Sequence, residues 1–186
     1  MTDTINILPH SMRVPEPAPW LDEPNLATFR IDEYLCVALR HPWGHWCGYV
    51  GVGAQHPLFG VSFHELEDAG EALYCHGSLN FADRLDEFTG WYFGFDCGHA
   101  FDYSPYMAEY YRRIGMPDDV IREHDRLFVR NEHGEGGVFP RQYRDLDFVR
   151  ANCVAIAAQL MDIVKDEAKV REIREAHARQ TTGEDR

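Results

Sequence analysis

Short segments rich in apolar residues occur as two pairs, each pair joined by a turn or a polar loop, and this pattern predicts β-strands. Residues 33–41 and 45–52 are separated by a Pro-Trp-Gly turn, which indicates a β-hairpin. Nearly every position in these two strands is apolar or small, as is typical of the centre of a sheet. Residues 73–81 and 90–97 form a second pair, joined by a polar loop. We therefore expect about four strands in the first half of the chain.

Three short helices are predicted from the residues that begin and end them. The first begins at Ser62, with Glu65 three residues on, which is the spacing of a capping box. The second begins at Ser104, which is followed by a proline that suits the first helical position, and it ends at Gly115. The third covers residues 118–127.

A long helix is predicted from Tyr143 onward, because apolar residues recur there at intervals of three and four. This stripe consists of Leu146, Val149, Cys153, Ile156, Leu160 and Ile163. It is shorter than the run that a coiled coil needs. We therefore favour packing of the helix against the sheet over a homodimer seam through residues 143–164. The charged tail from Lys165 is expected to fray.

Together these elements predict an α+β fold, with an antiparallel sheet of about four strands, helices packed on one face and a long C-terminal helix. Residues 1–27 carry five prolines and little periodicity, which indicates an extended N-terminal arm. Residues 28–165 are expected to form a single domain. Residues 166–186 are expected to form a charged helical tail.

The composition is typical of a globular protein, with 45% hydrophobic and 26% charged residues. No apolar run approaches the roughly 18 residues of a membrane span, and the first residues lack the pattern of a signal peptide. The five cysteines show no paired short spacing. Such a pattern suits a reduced, cytoplasmic chain better than a disulfide framework.

The formal net charge of −13 limits the kinds of partner that the protein is expected to bind. Phosphate backbones are bound by clustered Lys and Arg, so we expect no nucleic-acid partner and no membrane-surface role. The same charge leaves room for an acidic protein that docks on a basic protein partner.

Candidate chemistry concentrates where the last predicted strand ends. Asp96, His99 and Asp102 follow one another there within seven residues. If the strands 73–81 and 90–97 pair through a symmetric loop, opposing residue numbers add up to roughly 172. His76 would then lie beside Asp96.

The predicted register gives this hairpin one apolar face and one polar face. The expected ligand-binding residues on and beside the polar face are Tyr74, His76, Ser78, Asn80, Tyr92, Asp96, His99 and Asp102. Trp43, at the tip of the other hairpin, is a further candidate, since an aromatic ring there can stack on a ligand or anchor a partner. We therefore predict a pocket for a small polar or aromatic ligand.

Four motifs carry a resemblance to a known family: HPWGHWCGYVGVG, CHGSLNF, WYFGFDCGHAFD and YRDLDFV. In this order they resemble an uncharacterised family of small proteins from bacteriophages and bacteria, over about residues 33 to 160. The family pattern has a second glycine and a threonine where this chain has Ser78 and Asn80. The resemblance implies a phage or bacterial accessory protein and brings no established activity.

Two kinds of chemistry fit the polar residues. The side chains of His76, Asp96, His99 and Asp102 offer the nitrogen and oxygen ligands that suit a divalent transition metal such as zinc, manganese or iron. Alternatively, His76 with Asp96, or His99 with Asp102, forms a dyad for general acid–base catalysis. A hydrogen-bonded polar cluster that only closes the strand end is the third interpretation.

Three functions remain open from the sequence. The first is a binding protein for a small, nucleotide-like molecule, without chemistry. The second is a metal-dependent or His/Asp-based hydrolase in the same pocket, with His76, Asp96 and His99 as its catalytic residues. The third is an acidic inhibitor that occupies a basic surface of a host protein.

Overall fold

The computed structural model describes residues 19–128 and 142–182. Its centre is a sheet of five strands in the order β1-β2-β3-β5-β4, and every neighbouring pair is antiparallel. The strands are β1 (Leu26–Ile31), β2 (Tyr34–Arg40), β3 (Trp46–Val52), β4 (Phe81–Asp83) and β5 (Trp91–Asp96). The predicted α+β class is confirmed, as is the hairpin of β2 and β3.

The helices follow the predicted order. They are α1 (Phe63–Asp68), α2 (Met107–Arg113), α3 (Asp118–Phe128), α4 (Leu146–Lys165) and α5 (Glu167–Thr182). The capping box of α1 is confirmed, because the Ser62 hydroxyl accepts from the Glu65 N–H at 3.2 Å and the Glu65 carboxylate accepts from the Ser62 N–H at 2.6 Å. Within the described residues, none of these helices is long and apolar enough to cross a bilayer.

The strand β1 lies where the sequence predicted the end of an N-terminal arm. It forms one edge of the sheet, so its side chains alternate between exposed and half-buried. Its hydrophobic pattern in the sequence is therefore weak. Trp20 is buried in a short 3₁₀ turn before it. The chain is therefore part of the fold from Pro19 onward, and the earlier part of the predicted arm lies outside the described residues.

The helix α4 packs on β2 and β3 and forms the core with them. Gly48 allows this close approach, because a Cβ atom there would lie 2.6 Å from the Phe95 ring and 2.9 Å from Val149. The α4 residues Val149, Cys153, Ile156, Leu160 and Ile163 of the predicted stripe are all buried. Packing against the sheet is thus confirmed, and these buried residues are not available as a homodimer seam.

The predicted single C-terminal helix is two helices, broken at Asp166. The Asp166 carboxylate accepts from the Ala168 N–H at 3.0 Å and so begins a new helix. Contrary to the prediction, the tail is not frayed over Glu167–Thr182, because Ile173 on α5 is fully buried. His177 also lies 2.9 Å from the buried carboxylate of Glu65 on α1. Packing against α1 and α4 holds α5 in place.

The predicted strand 73–81 is wrong over most of its length. Its backbone hydrogen-bonds to α4 side chains instead, since the Gln159 amide bonds both the N–H and the C=O of Tyr74, at 2.8 and 2.9 Å. The short strand β4 begins only at Phe81, which pairs with Gly94 rather than with the expected Trp91. This shift by an odd number of residues reverses which side chains share a face.

Candidate functional site

A polar cluster lies at the end of β5, as the sequence predicted. The chain turns after Asp96, whose carboxylate accepts from the Gly98 N–H at 2.7 Å. The following segment then pairs with Gln142, whose C=O accepts from the Tyr103 N–H at 2.8 Å and whose N–H donates to the Phe101 C=O at 2.9 Å. Asp102, between these two residues, is thereby held in the interior with only 1% of its side chain exposed.

Asp102 is the centre of the cluster. Its Oδ2 atom lies 2.7 Å from Nε2 of His76 and 3.2 Å from both Nδ1 and the backbone N–H of His99. Its Oδ1 atom accepts from Nε of Arg144 at 2.9 Å. Burial raises the pKa of this carboxyl, but the hydrogen bonds from His76 and Arg144 outweigh it and hold the pKa below its usual value. The group is therefore an anion at neutral pH.

The two imidazoles are the accessible part of the cluster. Their rings meet edge to face, with centroids 5.1 Å apart. The exposed fraction of the side chain is 19% for His76 and 37% for His99. The ring of Phe148 packs edge to face on His76 at 5.1 Å, and the Arg144 guanidinium lies 4.7 Å above Phe148. Packing therefore fixes the orientation of His76.

A glycine makes room for the second imidazole. Gly77 has φ +68°, and a Cβ atom at this position would overlap the His99 ring. The backbone N–H of the preceding His76 donates to Oδ1 of Asn152 at 2.8 Å. The extended segment on α4 thus brings His76 to Asp102 and leaves space for His99.

Asp96 has other partners than the predicted one. Its Oδ2 atom accepts from the side-chain amide of Asn80, and its Oδ1 atom lies 3.9 Å from Nδ1 of His99. The expected neighbour His76 bonds to Asp102 instead. The predicted pairing of His76 with Asp96 is therefore corrected, for the same reason as the register.

Three further predicted residues do not join the cluster. Tyr92 is fully buried, and its hydroxyl donates to the Thr89 carbonyl at 3.2 Å. Tyr74 is exposed on the surface of the molecule. Ser78 lies in a turn with φ +73°, close in sequence to the cluster but with no side-chain contact to it among the described residues. The continuous polar face that the sequence predicted is therefore absent from the described residues.

The hairpin tip with Trp43 brings two more histidines to the same end of the sheet. The rings of His41 and His45 are stacked with centroids 4.5 Å apart, and Trp43 meets His41 at 4.8 Å. His45 is 5% exposed, and its Nδ1 atom lies 3.1 Å from the hydroxyl of Ser104. Burial lowers the pKa of His45 to about 4. This imidazole is therefore neutral at neutral pH.

The cysteines near the cluster are poor nucleophiles. Burial raises the pKa of the Cys75 thiol to about 12. Burial also raises the pKa of Cys97, and the nearby Asp102 carboxylate adds to this effect. Since the thiolate is the reactive form, both side chains are protonated and inert at neutral pH.

Arg144 is the cluster residue to which the sequence assigned no role. It comes 42 positions after Asp102, in the segment just before α4. Its guanidinium also donates to the side chain of Gln142 at 2.8 Å. No local spacing links Arg144 to the histidines, so only the fold reveals this contact.

A cleft of about 460 Å³ lies at the other end of β2 and β3. Its lining residues are Glu33, Tyr34, Gly51, Val52, Gly53, Ala54, Gln55, His56 and Pro57. None of them belongs to the polar cluster. The cleft and the candidate chemistry are therefore separate features of the surface.

No protein-family model matches this chain, and no curated protein and no solved structure matches it either. The resemblance in the four motifs stays an expectation. Function has to be argued from the chemistry of the cluster.

Proposed function

We propose that this protein is a hydrolase for a small polar substrate and that the cluster of His76, His99 and Asp102 activates the attacking water. One observation carries the proposal: the buried Asp102 holds two partly exposed imidazoles through a single carboxylate oxygen. A carboxylate in this position fixes the tautomer of a histidine and stabilises the imidazolium that forms when the histidine accepts a proton.

His99 is the proposed general base. When its Nδ1–H donates to Asp102, the lone pair lies on Nε2, and this nitrogen accepts the proton of the attacking water. His99 is the more exposed of the two imidazoles, so a substrate reaches it first. His76 holds the same oxygen of Asp102 at 2.7 Å and serves as a second donor or acceptor toward the substrate.

The substrate is expected to present an N–H or O–H group. Asp96 has a third of its side chain exposed beside His99, and a carboxylate accepts such donors. The negative charge of the chain disfavours a strongly anionic substrate at long range. A small amide, or a polar ring with an exocyclic N–H, fits these conditions.

Binding without turnover is the second candidate. The half-buried Trp43 beside His41 supports it, since an aromatic ring at the rim of a polar cluster suits stacking on a planar ligand. In this case the histidines recognise the ligand and do not transform it.

Turnover of a panel of small amides, esters and phosphoesters separates the two candidates. His99→Ala is expected to lower turnover by roughly 10²- to 10⁴-fold, the usual contribution of a general base, and to leave the fold intact. The matched control is His64→Ala, at an exposed position on α1, which should keep full activity.

Unchanged turnover in His99→Ala would refute the catalytic role. A binding protein would instead retain its ligand stoichiometrically and release it unmodified on denaturation. An acidic inhibitor of a basic protein would tolerate His99→Ala, and its binding would weaken steeply with salt.

A further inference from the structure

We propose that His76, His99 and Asp102 bind one divalent transition-metal ion. The inference rests on the same site as the proposed hydrolase, but metal binding is measured without any turnover. One ring nitrogen of His76, one ring nitrogen of His99 and a carboxylate oxygen of Asp102 all lie within 4.8 Å of one another. Among the residues that the structure describes, these three form the one group of His, Cys, Asp and Glu side chains that converges in this way.

The separations match a ligand set. In a tetrahedral zinc site with bonds of roughly 2.0–2.1 Å, neighbouring ligand atoms are roughly 3.3 Å apart. Oδ2 of Asp102 lies 2.7 Å from Nε2 of His76 and 3.2 Å from Nδ1 of His99. Each nitrogen is thus within about 0.6 Å of the separation from Oδ2 that a zinc site has, and both rings have to turn toward a common point beside Oδ2 to admit the ion.

The two imidazoles can replace their hydrogen bonds to Asp102 with bonds to the metal ion. Neutral histidine carries one ring proton, and a metal takes the nitrogen that lacks it. On metal binding the proton of His76 moves to Nδ1 and that of His99 moves to Nε2, so His99 is available as the general base proposed above only in the metal-free protein. Both nitrogens that now face Asp102 then point their lone pairs at the ion. Both imidazoles remain neutral, because each proton only moves from one ring nitrogen to the other.

Neighbouring side chains hold the ligands in place, as the residues that contact metal ligands do in known metal sites. Arg144 binds Oδ1 of Asp102, and apart from the two imidazoles Oδ2 accepts only from the His99 backbone N–H at 3.2 Å, so Oδ2 keeps a lone pair for the ion. Phe148 fixes the ring of His76, and the Asn152 side chain fixes its backbone. Asp102 and His76 are thus oriented before the metal arrives.

Neighbouring polar residues are excluded from the ligand set. Asp96 is not part of the converging group, since its oxygens accept from Asn80 and from the Gly98 N–H and its Oδ1 lies 3.9 Å from Nδ1 of His99. Nδ1 of His41 accepts from the Trp43 N–H at 3.2 Å, so the ring proton of the neutral side chain lies on Nε2. Three protein ligands remain, which leaves at least one coordination position for water or a substrate atom. Two His and one carboxylate suit zinc, manganese or iron(II).

The test is metal content and affinity of the full chain without a polyhistidine tag. We expect about one equivalent of bound metal, by elemental analysis of the protein saturated with Zn²⁺ and passed through a desalting column. Cobalt(II) should give a visible absorption spectrum typical of a site with nitrogen ligands. His76→Ala and His99→Ala are each expected to weaken Zn²⁺ binding by at least about tenfold, measured against a chromophoric chelator.

Two control variants make the result specific. Asp96→Asn should retain the metal, which separates the three proposed ligands from the fourth residue that the sequence had included. His64→Ala should also retain it, because this exposed histidine lies on α1. Circular dichroism of each variant confirms the fold. His76→Gln replaces His76→Ala if the latter unfolds.

The outcomes separate this proposal from the hydrolase. In one outcome the wild type binds the metal while His76→Ala and His99→Ala do not, and yet it turns over no substrate. That result would support the metal site and refute the hydrolase. Turnover by a protein that binds no Zn²⁺, Mn²⁺ or Co²⁺ would refute the metal site and leave a His/Asp base. Equal metal affinity in all variants would show adventitious binding and overturn the inference.

Discussion

At the scale of single residues, the Glu23 carboxylate joins three parts of the fold. Its Oε2 atom accepts from Arg40 at 2.8 Å, from the Trp46 indole at 3.0 Å and from the Tyr143 hydroxyl. Its Oε1 atom accepts from the Leu146 N–H at 2.9 Å, at the start of α4. The Arg40 side chain is only 2% exposed, so Glu23 neutralises a cation that water hardly reaches.

Removal of this charge is expected to be costly. Glu23→Gln leaves Arg40 buried without its counter-ion, and losing one partner of such a pair typically costs about 3 kcal/mol or more. Urea unfolding at pH 7 measures the change. The matched substitution Glu67→Gln, at an exposed position on α1, should change stability by less than about 0.5 kcal/mol.

The stability difference between wild type and Glu23→Gln is expected to depend on pH. Burial raises the pKa of Glu23, but the hydrogen bonds from Tyr143, Leu146, Arg40 and Trp46 lower it below the ordinary value of 4.5. The stabilisation is therefore complete above pH 4.5 and is lost as the pH falls through the lower pKa of the folded state. A gap between wild type and Glu23→Gln that persists undiminished well below pH 4 would contradict this account.

His45 predicts a second pH dependence, in a higher window. Burial lowers its pKa from 6.5 to about 4. The unfolded chain then binds more protons than the folded one between these values, so stability falls as the pH decreases from 6.5 toward 4. Between pH 7 and pH 5 this linkage amounts to about 2 kcal/mol.

The variant His45→Gln tests the assignment. Glutamine keeps a polar partner for Ser104 and does not titrate. We expect the wild type to lose about 2 kcal/mol more stability than His45→Gln between pH 7 and pH 5, in urea unfolding. Parallel pH profiles of the two proteins would show that His45 is not the titrating group.

At the scale of elements, the packing of α5 distinguishes a folded C-terminal helix from a frayed tail. Ile173 is fully buried between α5 and the rest of the core. Ile173→Ala is therefore expected to reduce the free energy of unfolding by about 2–5 kcal/mol, because it leaves a cavity. Val154→Ala, on the exposed side of α4, is the control and should have little effect. Equal effects of the two substitutions would mean that α5 does not pack as described.

Local signals explain which elements the sequence could predict. The hairpin turn before His45 and the capping box at Ser62 act within a few residues, and both are confirmed. The pattern of β1 is weak because this strand lies at an edge, with one side half-exposed. The break at Asp166 depends on an N-cap that looks like any acidic residue in a charged tail.

The segment around Tyr74 and His76 shows why the register failed. Its sequence has the composition of a strand, but side-chain amides of Asn152 and Gln159 on α4 satisfy its backbone groups. Such contacts join positions more than seventy residues apart. The sequence therefore predicted that His76 belongs to the site but gave it the wrong carboxylate.

At the scale of the whole molecule, the cluster depends on segments that are distant in sequence. His76 comes from the segment on α4, Asp102 from the loop after β5, and Arg144 from the chain just before α4. The position of His99 and Asp102 near a strand end was predictable, because they follow β5 directly. Arg144 was not, since its approach requires the complete fold. A site of this kind forms only when the chain has folded.

The use of the α4 stripe inside the core leads to a prediction about assembly. The residues that would have formed a dimer seam, among them Val149 and Leu160, are buried within the chain. A net charge of −13 adds repulsion between copies. We therefore expect a monomer of 21.5 kDa by light scattering after size-exclusion chromatography, at low and at high salt.

A substitution on the outer side of α4 makes this prediction specific. Val154 is 51% exposed on that side, so Val154→Asp should leave the mass at 21.5 kDa and change stability little. The opposite result would be a wild type with twice this mass and a Val154→Asp variant with the mass of the monomer. It would place a dimer interface on the exposed face of α4. Screening of the charge by salt would strengthen such a dimer, because the copies repel each other. The salt dependence of the mass therefore distinguishes repulsion between acidic copies from an interface held by ion pairs, which salt would weaken.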